Sequence, residues 1–278
     1  MNRRFIVGLV IFASANAVAQ SPFREFPSYE RDFGVGAALP EDYQVPGEFV
    51  VGRLMFPQLR YSTGRILGAG GGDWTRGGTA WAVDYPRGDR KFASLLERLT
   101  EIDVRSVEQP INLDEGDDVF HWPFMISGLV GAWDLTDSQA GKLRDYLLRG
   151  GFLLCDSFFG IDEWIGFETT LKRVFPDRPI VELPIDHVIF HIVYDLREAP
   201  QVRNWQHYRQ GSGGYRNGGS VPHWRAILDD DDRIMVMIAF NNDIADGWQR
   251  ADEIDYPQQD ATLSIQLGVN FAAYAMTH

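Results

Sequence analysis

The sequence predicts an α/β protein built on a mostly parallel sheet and finished by a β-hairpin and a helix. Three observations carry this reading. Strand-like and helix-like segments alternate through the middle of the chain, the pattern of a sheet covered by helices. GFLLCDSF, residues 151–158, is a short unbroken apolar run of the kind found in strands buried on both faces. Just before it, Thr136 and Gln139 spell a capping box, which starts a helix that Gly150-Gly151 ends.

Taken in order, residues 1–19 have the layout of a secretory signal. Arg3 and Arg4 precede an apolar stretch from Phe5 to Ala13, and Ala17-Val18-Ala19 is a small-x-small cleavage site. The stretch falls short of the ~20 residues that span a bilayer, so an exported, periplasmic or extracellular protein with no transmembrane span in the mature chain is expected. Residues 20–47, rich in Pro, Gly and charge, read as an arm or linker. A single domain is expected over residues 48–278, since 45% hydrophobic content in a chain of 278 residues can fill one large core.

Within that domain EFVVGRLMF reads as a strand, followed by the glycine-rich GRILGAGGGDWTRGG. In RKFASLLERLT, Phe92, Leu95, Leu96 and Leu99 fall on one helical face. IDVRSV and PFMISGLV are the next expected strands, and GFETTLKRVF the next helix. IVELPIDHVIFHIVYDL follows, in which Val188, Ile189 and Phe190 read as strand. WRAIL and RIMVMIAF pair as a hairpin across Asp229 to Asp232, and ATLSIQLGVNFAAYAMTH closes the chain as a helix. The four aspartates lack the glycine and distal glutamate of a calcium loop and read as a solvated turn. No metal or cofactor is expected.

The formal net charge of −13, without any Lys/Arg cluster, excludes nucleic acid and anionic lipid surfaces as partners. Cys155 is the only cysteine, so no internal disulfide forms. Flanked by Leu154 and Asp156, with no cation beside it, it reads as a core residue, and the working end of its strand is Asp156-Ser157.

GAGGGDW, AVDYPRGDRKF, WPFMISGL, LRDYLLRGGFLLCDSFFG, FPDRPIVELPIDHVIFHIVYDLREAPQV, NNDIADGWQR and LGVNFAAYAMTH together resemble successive blocks of the domain-of-unknown-function family 4159. That family is placed in the class I glutamine amidotransferase-like superfamily. The resemblance covers roughly residues 48–278 and implies a flavodoxin-like three-layer sandwich, with no established activity. The Gly-x-Cys-x-Gly elbow and the downstream His-x-Glu of true amidotransferases have no counterpart here.

Polar residues at strand ends and in tight loops are the candidate site residues. Asp73 and Trp74 end the glycine-rich loop, and Asp84 lies in the AVDYPRGDRKF block. Asn241, Asn242 and Asp243 follow the last strand, with Trp248 in the same loop as a flat apolar platform for a saccharide-like or cell-wall-derived ligand. His187 and His191, if on a strand, spread over ~13 Å, too wide for one ion. A second reading assigns acid–base hydrolysis to Asp156 and His187. A third is a non-catalytic module docking on an envelope protein. Residues 204–224, with Gly211, Gly213, Gly214, Gly218 and Gly219, are expected to fold over the strand ends as a lid, bringing Tyr208 or Tyr215 near Asp156 and Asp243.

Overall fold

A computed structural model describes residues 22–29, 38–59, 72–198 and 200–278. The signal-like leader lies outside the described residues, as do Gly70 and Gly71 of the glycine run. Seven strands form one sheet: β1 (Gly52–Met55), β2 (Gln109–Asn112), β3 (Phe124–Ser127), β4 (Phe152–Phe158), β5 (Val181–Glu182), β6 (His223–Leu228) and β7 (Ile234–Phe240). Their order is β2-β1-β3-β4-β7-β6-β5. Every pairing from β2 across to β7 is parallel, whereas β6 runs antiparallel to both of its neighbours. The helices are α1 (Arg87–Leu99), α2 (Asp137–Leu148), α3 (Gly160–Val174), α4 (Trp205–Arg209), α5 (Ile244–Gln249) and α6 (Gln258–Thr277).

β4 shows why the sequence folds this way. Its alternate side chains enter two separate apolar clusters. Leu153 and Cys155 join Leu143 and Leu147 of α2 and Phe167 and Leu171 of α3. Phe152 and Leu154 join Phe92 and Leu96 of α1 and Leu267 and Phe271 of α6. A strand covered on both sides has no polar face, which is the unbroken apolar run seen in its sequence. Each such side chain contributes roughly 1.5–3 kcal/mol by leaving water. The Cys155 thiol is one of them, and burial pushes its pKa up, away from a reactive thiolate.

The helix starting at Thr136 forms as its capping box requires: Gln139 N–H donates to Thr136 Oγ1 at 3.2 Å, and Thr136 N–H donates to Gln139 Oε1 at 2.9 Å. On α1, Phe92 and Leu96 are buried, but Leu99 at the last position is exposed.

Two expected strands are corrected. IDVRSV supplies only an isolated bridge from Val104 to Phe49. Arg105 is buried there and turns back on its own chain, donating to the Val107 and Glu108 carbonyls, so the backbone bends and β2 begins later, at Gln109. DHVIFH is likewise not extended. Ile189 N–H donates to His187 Nδ1, and Phe190 N–H to the His187 carbonyl, so Val188–Phe190 close into a 3₁₀ turn.

Thr136→Ala is expected to lower stability by about 1 kcal/mol, with Thr136→Ser close to the parent. Urea unfolding measures it. An unchanged midpoint for the alanine variant would show that the cap carries no weight.

Candidate functional site

β4 ends in an irregular step. Ser157 has φ +61°, a left-handed backbone, and the register with β7 shifts between Cys155 and Phe158. Asp156, on the inner side of this step, is fully buried. Its Oδ1 accepts from Ile244 N–H at 3.0 Å and its Oδ2 from Ala245 N–H at 2.9 Å, the first two amides of α5. Asp156 therefore caps a helix that belongs to another part of the chain.

The residue at the N-cap position of α5 is Asp243, and its side chain makes no capping bond. With the helix end already satisfied, the Asp243 carboxylate turns elsewhere. Oδ2 accepts from Asn204 Nδ2 at 2.7 Å, while Oδ1, also buried, has no hydrogen-bond partner among the described residues. Burial raises the Asp156 pKa to about 7; the nearby Asp243 charge acts in the same direction, and the backbone amides oppose it.

Residues 201–222 lie over this end of the sheet. Gln201 Nε2 donates to the Asn241 carbonyl at 2.8 Å, and Val202 N–H to Asn242 Oδ1 at 2.9 Å. His207, from α4, bonds through Nδ1 to Asn204 Oδ1 at 2.8 Å. Arg216 reaches back to the Ser157 carbonyl and to Glu163 Oε2 at 3.1 Å, yet its Nε has no partner. Asn217 holds the other oxygen of Glu163 at 2.7 Å. Gly160, at φ +75°, accepts this close cover, since a Cβ there would stand 2.2 Å from the Asn217 carbonyl oxygen. Burial, then Arg216, depresses the His207 pKa.

On the β1 and β3 side, Arg53 is fully buried. Its Nη2 and Nε donate to Asp89 Oδ1 and Oδ2 at 2.6 and 3.2 Å, leaving Nη1 without a partner. Ser127 Oγ, at the end of β3, is likewise buried and unpartnered. Gly128 is where these pieces meet: a Cβ on it would lie 3.4 Å from Arg53 Nη1 and 3.9 Å from Ser157 Cβ. The chain passes from β1 to β2 on one side and then crosses to β3 on the other side of β1, so the strand order reverses here, where ligands gather in open parallel sheets. Asp84, Ser157 and Asn241 all take left-handed backbones, although none is glycine. Such strain, of order 1–3 kcal/mol each, clusters at working sites.

The structure thus brings Asp156, Ser157, Asn241, Asn242 and Asp243 together at the carboxyl ends of the strands. Within that group Asn241 and Asn242 are latches. Asn241 Oδ1 accepts from Gly160 N–H at 2.9 Å, and both residues fasten the segment around 201. Trp248 is no platform: it is fully buried, stacked on Phe92 at 4.1 Å, with its Nε1 donating to the Ser264 carbonyl. Asp73 is exposed and caps its own turn through Thr75, and Trp74 lends its carbonyl to Trp81 Nε1.

His187 stands apart from Asp156. Its ring packs against Tyr274, whose hydroxyl accepts from Ile234 N–H, the first residue of β7, whereas Asp243 follows the last. The seven residues of β7 separate the two ends by roughly 20 Å. The loop does cover the strand ends, but Tyr208 packs on the Arg203 guanidinium, and Asn204, His207 and Arg216 take the place expected of the tyrosines. Arg53, His207 and Arg216 were not legible as site residues. The one available signal was a lone charge inside the apolar EFVVGRLMF.

The family model described as Domain of unknown function (DUF4159) matches residues 59–276, and the chain belongs to that family. No curated protein matches the chain.

Asp156→Ala leaves two helix-end amides without an acceptor and is expected to cost about 1–3 kcal/mol. The pH dependence has a definite sign. A carboxyl raised from 3.8 in the unfolded chain to about 7 in the fold contributes most below the lower value and progressively less as pH rises through the upper one. The stability gap between parent and Asp156→Ala should therefore narrow from about pH 5 to about pH 7 and stay level above. Urea titrations across that range read it, and a widening gap would contradict the assignment.

Proposed function

We propose that this member of the DUF4159 family binds a small polar ligand at the carboxyl ends of β1, β3, β4 and β7, beneath residues 201–222, and that it does so after export. One observation carries the site. Arg53 Nη1, Ser127 Oγ, Arg216 Nε and Asp243 Oδ1 are all buried at one end of the sheet with no partner among the described residues. An unmet buried polar atom costs about 1–3 kcal/mol, so native structures leave few without a reason. A bound polar molecule supplies that reason. The saccharide or wall-fragment class expected from the sequence retains its hydrogen-bonding side chains here but not its indole platform.

The finer reading of the fold as a flavodoxin-like three-layer sandwich of the amidotransferase-like superfamily is supported by the order β2-β1-β3-β4-β7 and by apolar clusters on both faces of β4. The antiparallel pairing of β6 with β7 supports the hairpin. Amidotransferase chemistry is not part of the proposal, because the only cysteine is a core residue. Acid–base work shared by Asp156 and His187 is not part of it either, since the fold holds them at opposite ends of the sheet. Export is supported by the Arg3-Arg4 and Ala17-Val18-Ala19 pattern of the leader.

Thermal unfolding of the mature chain against a panel of sugars, amino sugars and wall fragments tests the site. A ligand should raise Tm by about 2–4 °C per kcal/mol of binding, and Arg53→Met should remove the response. No shift with any member of the panel would overturn the proposal. For export, the expected result is a mature protein beginning at Gln20 in the envelope fraction. A product retaining Met1 in the cytoplasm would refute it.

A further inference from the structure

The unpartnered atoms at the strand ends differ in kind, and the difference narrows what they can hold. A carboxylate oxygen such as Asp243 Oδ1 accepts, and guanidinium nitrogens such as Arg216 Nε and Arg53 Nη1 only donate. A complementary ligand must therefore present a donor to Asp243 and an oxygen acceptor to an arginine.

Charge narrows the choice further. Arg53 is committed to Asp89 through two bonds, and Arg216 to Glu163. Each pair is internally balanced. Asp243 is different. Its one bonded partner is the neutral amide of Asn204, it is 1 % exposed, and no ion pair reaches it among the described residues. A buried carboxylate without a cation is expensive, and a ligand ammonium would compensate it fully where a hydroxyl would not. An anionic ligand would meet Asp243 and Asp156 side by side and be repelled. His207 does not supply the missing charge, because burial and the neighbouring Arg216 favour its neutral form.

We propose that the site selects a small primary amine carrying an oxygen acceptor a few bonds away, with Asp243 holding the ammonium and Arg216 the oxygen. An amino sugar has this chemistry, and so does the amino end of an amino-acid amide. Asp156 is then a positioning residue: by capping α5 it leaves the Asp243 side chain at the N-cap position free to face the ligand. This rests on the reading of the strand ends as a ligand site and specifies its occupant.

The test is calorimetric titration of the mature chain with glucosamine, N-acetylglucosamine, glucose and alaninamide. Glucosamine or alaninamide should bind at least about tenfold more tightly than the two uncharged sugars, because both of those can offer Asp243 a neutral donor but not the ammonium charge. Comparing glucosamine with alaninamide tells a sugar framework from an amino-acid one. Asp243→Asn should weaken amine binding by at least about tenfold while far-UV circular dichroism stays unchanged, since Asp156 still caps α5. Arg216→Gln, which leaves the α5 region untouched, should weaken it as well and serves if the first variant fails to fold. Equal binding of glucosamine and N-acetylglucosamine, or amine binding that survives both substitutions, would overturn the ammonium assignment and leave the ligand site standing. Failure of every probe to bind would overturn both.

Discussion

The two hydrogen bonds from Ile244 and Ala245 to Asp156 are the constraint on which the arrangement at the carboxyl ends of the strands depends. They join the end of β4 to the helix that follows β7, its neighbour in the sheet, and they do so without water. Helix ends normally find an acceptor locally, and the residue placed to supply it here is itself an aspartate. Because the acceptor comes from across the sheet, Asp243 is relieved of that task, and its carboxylate is held in place by the cap rather than consumed by it. A buried acid accepting two amides at the positive end of a helix is also in a favourable field. Desolvation and the second acid nevertheless raise its pKa against the backbone amides that lower it.

The cover over the site is fastened by the same logic of borrowed partners. Asn242, next in the chain to Asp243, bonds Val202; Asn241 bonds Gly160; and Glu163, on α3, receives both Arg216 and Asn217. The Asn242, Arg216 and Asn217 bonds link the segment around 201–222 to the end of β7 and to α3, and the Asn241–Gly160 bond ties the end of β7 to the start of α3. The segment is tied down by polar contacts more than by burial, for α4 has no fully buried residue. Segments held this way open at a lower free energy than the core, which is what the proposed ligand site would require of its cover.

Much of the fold was legible because its determinants are local. The apolar run of β4, the capping box at Thr136 and the Asp229–Asp232 turn each declare themselves within a few residues. The failures are also physical. IDVRSV and DHVIFH both have strand-like composition, but Arg105 and His187 bond to backbone groups close by in sequence and bend the chain. For the site, Asp156 and Asp243 were legible as strand-end acids, and their proximity follows from β4 and β7 being neighbours. Arg216 and His207 were not, because their position depends on how a glycine-rich segment crosses over strands formed elsewhere in the chain. Trp248 misled through its type: an indole in a loop-like stretch looks available for stacking, yet Phe92 from a helix more than 150 positions earlier had already claimed its face.

How strain and unmet polar atoms are tolerated at this end of the sheet, as at other places among the described residues, follows from where stability resides. Both apolar clusters are built on the body of the strands and on α1, α2, α3 and α6, and they are large enough to tolerate local cost elsewhere. At the carboxyl ends the chain must turn, and there Asp84, Ser157 and Asn241 take backbones that their side chains disfavour. The buried Arg53–Asp89 pair extends the same trade beneath them. Replacing such a pair with apolar side chains is often neutral or stabilising, so stability alone does not account for a buried arginine. What the pair does here is hold a guanidinium with one unpartnered nitrogen beneath Gly128, pointed toward the place where the strand order reverses.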